Sequence, residues 1–425
     1  MHLFFFDGSH AQVKLSVDSA LSIALKNNYD IIISEMVLKK AEQNADASVG
    51  NFMPMVFVNG QWQKNYQSLN QNFASGLEVD KDNVKSDALN ASANLNWTLF
   101  DGMQMFANRN RLLAENEVAL FDLKQQIENT VMSVLTAYYD VVRQIAIIEA
   151  QKSNLDVTQQ RLDISTAKKE IGTASGLELM QAQIDLNNQK SELLRQQMNL
   201  QNSKAILTDL IAKNSDFDFT VTDSIVINYK PEYNDLRKTV STQNNSILSA
   251  TKNLKASEYF LKEMKAGYYP RLDFYAGYDF LRNKSEAGFL LKSDNSGINF
   301  GFSASWLLFN KLQTRNAVRQ ANLDIQISRT ELEALRTSVD VRLIRAFNNY
   351  NAALEIVTLE NENVSLAAEA SQISLDRYKL GRSSILELKD AQNVFQITVT
   401  NYINALYAAK LNELELLRLN GELVK

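Results

Sequence analysis

The chain carries the same unit twice. Trp97 to Gly102 reads W-T-L-F-D-G, and 209 residues on, Trp306 to Lys311 reads W-L-L-F-N-K. Without a gap, the same offset carries Ala137-Tyr138 onto Ala346-Phe347, Ile171-Gly172 onto Leu380-Gly381, Leu177-Glu178-Leu179 onto Leu386-Glu387-Leu388, and Ala182-Gln183 onto Ala391-Gln392. Whatever one copy folds into, the other must repeat. Each copy holds two alternating apolar segments set among helical stretches far longer than the usual three turns, which excludes both a short-period solenoid and a pair of linked enzymes. The unit reads as one staple of a tall, symmetric tube.

Four segments alternate strictly. After Pro54, Val56, Val58, Gly60 and Trp62 share one face, opposite Met55, Phe57, Asn59 and Gln61. Leu89, Ala91, Ala93, Leu95, Trp97 and Leu99 oppose Asn90, Ser92, Asn94, Asn96 and Thr98. After Pro270, Leu272, Phe274, Ala276, Tyr278 and Phe280 oppose Asp273, Tyr275, Gly277 and Asp279; then Ile298, Phe300, Phe302, Ala304, Trp306 and Leu308 oppose Asn299, Gly301, Ser303 and Ser305. A period of two with one apolar and one polar face is what lipid outside and water inside select. The spacing predicts strands over 54–66, 88–100, 270–282 and 297–309, with polar turns at 67–87 and 282–296. A soluble sandwich with one buried face would show the same pattern in any single strand. Four strands cannot close a barrel in one chain, and lipid does not tolerate an open edge, so closure needs several chains. Trp62, Trp97 and Trp306, all on the apolar faces, are candidates for an interfacial girdle.

Neither Gly nor Pro interrupts the stretch between Gly102 and Gly172, or that between Lys311 and Leu380. At 1.5 Å per residue each would run about 100 Å as one helix. Leu113, Leu120, Ile127, Val134, Val141, Ile148, Leu155 and Leu162 recur every seventh residue, as do Leu179, Leu186, Leu193, Leu200 and Leu207; Leu388, Phe395, Tyr402, Ala409 and Leu416 echo the second line. That period imposes coiled-coil packing. The pattern predicts long helices over 103–171, 177–213, 311–380 and 384–420, paired antiparallel through reversals at 172–176 and 381–384. Shorter helices are expected from Val17, capped by Ser16, to about Gly50 and from about Glu232 to Ala266. The first repeat then spans 12–215 and the second 230–425, joined by a linker over 216–229 placed as a small belt.

The composition excludes other classes. With 44 basic against 49 acidic residues and a net charge of -5, no concentrated basic stripe is available for nucleic acid. There is no cysteine, and the two histidines, His2 and His10, fall within the first 11 residues. Ser9 and Ala11 occupy the small positions of an A-x-A cleavage site, so residues 1–11 are read as a signal-peptide remnant or a tag. No stretch approaches the roughly 18 consecutive apolar residues of a spanning helix. Acid pairs such as Glu331 with Glu333 and Glu413 with Glu415 are read as solvated faces, and the glycine turn at 172–176 follows no strand, so neither an enzyme nor a phosphate cradle is expected. No cofactor or metal site is expected.

In order, Leu15-Ser16-Val17-Asp18-Ser19-Ala20-Leu21, the entries at Gly50 to Pro54 and Gly267 to Pro270, and the turns Ile171-Gly172-Thr173 and Tyr378 to Arg382 followed by Leu-Glu-Leu and Ala-Gln make a connected set. Together they resemble the TolC-like outer membrane efflux channels of Gram-negative bacteria, over Leu15 to Gly421. The resemblance implies a mainly α protein with a β-barrel part, in which a homotrimer gives four strands per chain to one twelve-stranded barrel in outer membrane lipid and builds a coiled-coil tunnel in the periplasm. It implies a passive duct for efflux or type I secretion that docks, through the tips at Gly172, Thr173, Gly381 and Arg382, onto a periplasmic adaptor and so onto an inner-membrane transporter. Some members carry an N-terminal lipid anchor, which a chain without cysteine is not expected to have. Glu387 and Asp390, three apart on one helical face near Gly381, match an acidic ring at the family's constriction; Glu178 is their counterpart in the first repeat, where Gln181 replaces the second acid. Acids at a helix start also stabilise its positive end. The competing function is a periplasmic coiled-coil scaffold or adaptor with a soluble β-domain.

Overall fold

The computed structural model describes residues 13–214 and 217–423; the segment read as a leader remnant or tag lies outside them, as does residue 216 of the linker. In chain order the elements are β1 (Val13–Leu15), α1 (Val17–Asn27), α2 (Tyr29–Ala47), a 3₁₀ turn (Ser48–Phe52), β2 (Met55–Asn72), β3 (Glu78–Phe100), α3 (Gln104–Glu170), α4 (Gly176–Leu210), β4 (Phe219–Val221), α5 (Tyr233–Gln243), α6 (Asn245–Ala266), β5 (Arg271–Ser285), β6 (Lys292–Ser305), α7 (Gln313–Lys379) and α8 (Ile385–Leu419). The duplication is kept at the level of helix lengths, since α3 and α7 each have 67 residues and α4 and α8 each have 35. The chain forms two compact units, one of Leu38–Ala119 with Ala250–Leu332, the other of the remainder.

The first unit is organised by a four-stranded antiparallel sheet in the order β2-β3-β5-β6. Its register joins the two repeats directly: Val58 pairs with Ala93, Ala93 with Tyr278, and Tyr278 with Ile298. Directly opposed residues share a face, so the four apolar faces merge into one. That face is bare in the single chain, with Val58 77% and Ile298 78% exposed. The other face carries a polar ladder in which Thr98 Oγ1 donates to Asp273 Oδ1 at 2.8 Å and Arg271 Nη2 donates to Thr98 Oγ1 at 2.7 Å. Along β3, eight residues separate Leu89, opposite Trp62, from Trp97, about 26 Å at 3.3 Å per residue, which at a barrel-strand tilt of about 35 to 45° rises through about 20 Å of an apolar band about 25 Å tall.

Two sequence expectations need correction here. The turns read at 67–87 and 282–296 shrink to 73–77 and 286–291, because the polar residues flanking them extend the strands as ladders. Alternation marks only where one face meets an apolar medium; with water on both faces, the backbone pairs without it. At its other end β6 stops at Ser305, opposite Arg271 where β5 begins, so Trp306 lies outside the strand. Its indole Nε1 donates to the Tyr268 carbonyl at 3.1 Å, and the equivalent Trp97 Nε1 donates to the Phe52 carbonyl at 2.9 Å. Each ring is thus pinned to the residues that lead into the first strand of its own hairpin, β5 for Trp306 and β2 for Trp97.

The second unit is helical. Its core joins Leu15, Ala20 and Ala24 to Val134, Tyr138 and Val141 of α3, Leu207 of α4, Phe219 and Leu414, so the middle of the α3 heptad line is buried. Within α3 one window is apolar and charge-poor enough to pass for a membrane span, and 56% of it is buried in the chain itself. β1 pairs in parallel with β4, joining the start of the first repeat to the linker. The helix expected from Val17 to about Gly50 breaks at Asn28, and that expected from about Glu232 to Ala266 breaks at Asn244. Asn28 Oδ1 accepts from the Asp30 N–H at 3.0 Å while its Nδ2 donates to the Leu210 carbonyl at 2.9 Å. Asn244 repeats this, accepting from the Ile247 N–H at 3.3 Å and donating to the Leu419 carbonyl at 3.3 Å. Each asparagine caps one helix and closes the exposed end of another, which offsets the lost helical turn. Glu413 also departs from expectation: it is buried rather than solvated, and Lys410 Nζ donates to its Oε2 at 3.0 Å.

α4 and α8 end alike. After α8, Gly421 takes φ +70° and the Glu422 N–H reaches back to the Leu417 carbonyl; after α4, Ala212 takes φ +48° and the Lys213 N–H reaches the Thr208 carbonyl. A left-handed alanine costs about 1 to 2 kcal/mol, partly regained through a stiffer unfolded chain. Ala212→Gly is therefore expected to stabilise the protein by about 0.5 to 1 kcal/mol, read as a higher urea midpoint; a lower midpoint would show that the turn is not strained.

Candidate functional site at the helical tips

Both long hairpins turn by the same device. Gly172 has φ +75° and Gly381 φ +69°, a region open to glycine without a steric penalty. The N–H of the following residue bonds back five residues, Thr173 to the Lys168 carbonyl and Arg382 to the Arg377 carbonyl, each at 2.8 Å. Ser175 and Ser384 then cap the return helices by accepting from the N–H of Glu178 and Glu387, both at 3.2 Å. Gly172, Thr173, Gly381 and Arg382 are all exposed, and an added Cβ at either glycine would meet nothing within 4 Å.

The two tips face each other across an open cleft of about 890 Å³, whose walls include Lys168, Glu178, Tyr378 and Ser384. A buried polar network, not marked by the sequence reading, ties them together. Tyr378 is only 2% exposed; its hydroxyl donates to Glu178 Oε1 at 2.7 Å and lies 3.2 Å from Ser165 Oγ. Lys168 Nζ sits 3.7 Å from the centre of its ring and donates to its carbonyl at 2.9 Å. Burial foremost, with the Glu178 carboxylate adding to it, pushes the Tyr378 hydroxyl above its ordinary value, so it remains a donor at neutral pH. One turn back along α3 and 3% exposed, Arg161 donates through Nη2 to Asp185 Oδ2 at 2.9 Å and through Nη1 to Gln392 Oε1 at 3.1 Å. Lys389 Nζ donates to the other Asp185 oxygen at 2.7 Å. Burial lowers the Arg161 guanidinium from its ordinary value and Asp185 counters it, leaving the cation in place.

The acids marked by sequence divide accordingly. Glu178 is engaged with Tyr378, across the cleft. Glu387 is exposed, with its Oε1 3.4 Å from Ser384 Oγ and its Oε2 4.0 Å from Arg377 Nη2. Asp390 is exposed one turn further on α8 and has no hydrogen bond or ion pair among the described residues. Arg161, Ser165 and Lys168 were legible in principle, because their spacing of four and three makes a second stripe on α3. Among the described residues no group of three or more acidic or histidine side chains could hold a metal ion.

The family described as Outer membrane efflux protein matches the chain twice, over residues 20–213 and 236–422. Outer membrane protein TolC of Escherichia coli strain K12 is 22% identical over 372 residues, covering 81% of this chain and 74% of that protein. In fold the chain is similar to the outer membrane protein VceC of Vibrio cholerae, with a TM-score of 0.81 at 16% identity over 95% of this chain and 96% of that one. It is also similar to the CmeC outer membrane channel of Campylobacter jejuni, with a TM-score of 0.82 at 15% identity over 96% and 85% of the two chains. A bare apolar sheet face bounded by tryptophans, two coiled-coil hairpins and a family match in each half lead to one conclusion: the chain belongs to the outer membrane efflux protein family and is an efflux channel of the Gram-negative outer membrane.

Proposed function

We propose that three copies of the chain assemble into a passive duct, with twelve strands closing one barrel in lipid and the helices lining a periplasmic tunnel. The observation that carries this reading is an unused heptad seam. Leu359, Leu366, Ile373 and Leu380 recur every seventh residue along α7 and its end, and all are 52% to 69% exposed. A solvated helix has no reason to keep such a line; a neighbouring copy of the chain covers it. The outer edges of β2 and β6, unpaired among the described residues, make the same demand, since lipid offers no partner for their backbone groups. The scaffold alternative leaves both the seam and the bare sheet face without a use.

Mass measurement in mild detergent is expected to give a trimer, and Ile373→Glu is expected to weaken its helical contacts so that the trimer dissociates at lower denaturant. A monodisperse wild-type monomer would end this reading.

The duct docks by its tips on a periplasmic adaptor and through it on an inner-membrane transporter, because the exposed turns at Gly172 and Gly381 leave both hairpins free to pack end to end against other helices. Three-fold symmetry brings six carboxylates from Glu387 and Asp390 to one narrow opening, where they favour cations. Glu387→Gln with Asp390→Asn is expected to abolish cation selectivity and multivalent block in single-channel recordings while leaving assembly intact. Unchanged selectivity would leave these acids as stabilisers of the α8 start.

A further inference from the structure

The apolar face of the sheet continues past Trp62 toward the hairpin ends, away from the residues that join β3 to α3 and β6 to α7. There it turns basic. Two residues beyond Trp62 and on the same face, Lys64, Asp87, Lys284 and Lys292 stand in one row across the four strands. Arg282 and Asp294 share the row of Trp62, and Lys85 stands one row further out, so this rim holds five cations against two acids in a chain with 44 basic and 49 acidic residues. The opposite face at the same height carries no charge. Its rows are Gln61, Asn90, Leu281 and Asn295, then Gln63, Ala88, Asn283 and Ser293, then Asn65, Ser86 and Ser285. Water would not sort charges in this way, because beyond the apolar band it bathes both faces. The alternation therefore records an anion on the lipid side.

Three of these cations have no counter-ion of their own. Lys64, Lys85 and Lys284 are exposed and make no ion pair among the described residues, while Arg282 and Lys292 share Asp294 at 2.8 and 2.9 Å. Lys284 and Lys292 are directly opposed, and like charges so placed are destabilising unless an anion lies between them. From β2 to β6 the row spans three strand spacings, about 14 Å, more than one phosphate can reach. We propose that this rim docks the headgroup of a lipid carrying two phosphates on a sugar backbone, one phosphate against Lys284 and Lys292 and the other against Lys64 and Lys85. Its acyl chains lie along the apolar face below. Two phosphates set apart by a disaccharide match the span, whereas the one phosphate of a common phospholipid does not. Lysine suits the task, since its long apolar stem lies on hydrocarbon while its ammonium reaches the headgroup level. The proposal rests on the reading that this face meets lipid.

The test titrates the full-length protein, folded in a neutral detergent, with lipid A, which carries two phosphates on a disaccharide, and with the same lipid stripped of both. Native mass spectrometry counts the lipids bound. Lysines near a membrane surface are each worth about fivefold in affinity for anionic lipid, so Lys64→Gln with Lys284→Gln and Lys292→Gln should weaken lipid A binding about a hundredfold. Binding of the stripped lipid should not change. Lys39→Gln with Lys40→Gln removes exposed charge from α2 instead and should alter neither lipid; the Tm of each variant verifies folding. If neither lipid bound the wild type, the lipid-facing reading would fall and the site with it. If the stripped lipid or phosphatidylglycerol bound as tightly as lipid A, or the triple variant kept its affinity, the face would still meet lipid and the phosphate site alone would be overturned.

Discussion

Arginine at Val58 or Ile298 is expected to destabilise the protein by about 2 to 4 kcal/mol when it is folded into lipid vesicles. Both residues sit in the row Val58, Ala93, Tyr278 and Ile298, midway along β3 between Leu89, opposite Trp62, and Trp97. In the isolated chain both are more than three-quarters exposed, at 77% and 78%, so water would accept a charge there with little cost. Lipid at the midplane would not, and the size of the penalty reports the medium rather than the packing. Asn59 is the internal control. It neighbours Val58 in sequence but points to the polar face, where its cross-strand partner is Ser92, and Asn59→Arg should cost less than about 1 kcal/mol. Urea titrations of refolded protein in vesicles measure the difference. Similar stabilities for Val58→Arg and Asn59→Arg would mean that the apolar face does not meet hydrocarbon.

That face was legible residue by residue because a pleated strand writes its two environments into alternate positions, and the four faces had to coincide once the strands paired. The polar ends of the strands carried no such record, so 67–72 and 78–87 looked like turns although their backbones pair without interruption apart from one shift at Gln67. Helix lengths were readable for the converse reason: nothing in 104–170 or 313–379 can stop a helix. Asn28 and Asn244 escaped notice because an asparagine breaks a helix only where its amide also finds a partner, here the last carbonyls of α4 and α8, far away in sequence. The tip network was hidden more deeply. Tyr378 stands where the first repeat has Lys169, and Arg161 where the second has Ala370, so the two residues at the centre of the network lie in what the copies do not share. Comparing the copies selects the common turn, its capping serines and the acids after them, and passes over the two residues at the centre of the lock between the tips.

Asp185→Leu is expected to be the most damaging single change at the tips, costing about 3 to 5 kcal/mol of local stability because it leaves a buried charge without its counter-ion. Arg161 is enclosed, with 4% of its side chain exposed, and Asp185 holds it through one carboxylate oxygen while Lys389 binds the other. Without the carboxylate, the enclosed guanidinium is left beside the half-exposed Lys389 ammonium, and only the neutral Gln392 oxygen still faces it. Arg161→Met should do less harm, since Asp185 keeps Lys389. The double variant Arg161→Met with Asp185→Leu should recover most of the loss, because it removes the buried pair together with its desolvation cost. Asp185 and Arg161 belong to the first hairpin, Lys389 and Gln392 to the second, so the same order should appear in function: Asp185→Leu loosens one hairpin from the other and raises the conductance of the resting channel in planar bilayers. Hydrogen exchange at the α3 and α4 ends gives the local free energy, and the bilayer recording shows whether the tips have parted. If Asp185→Leu exchanged and conducted like the wild type, the network would be incidental to closure and the tips would be held by apolar packing alone.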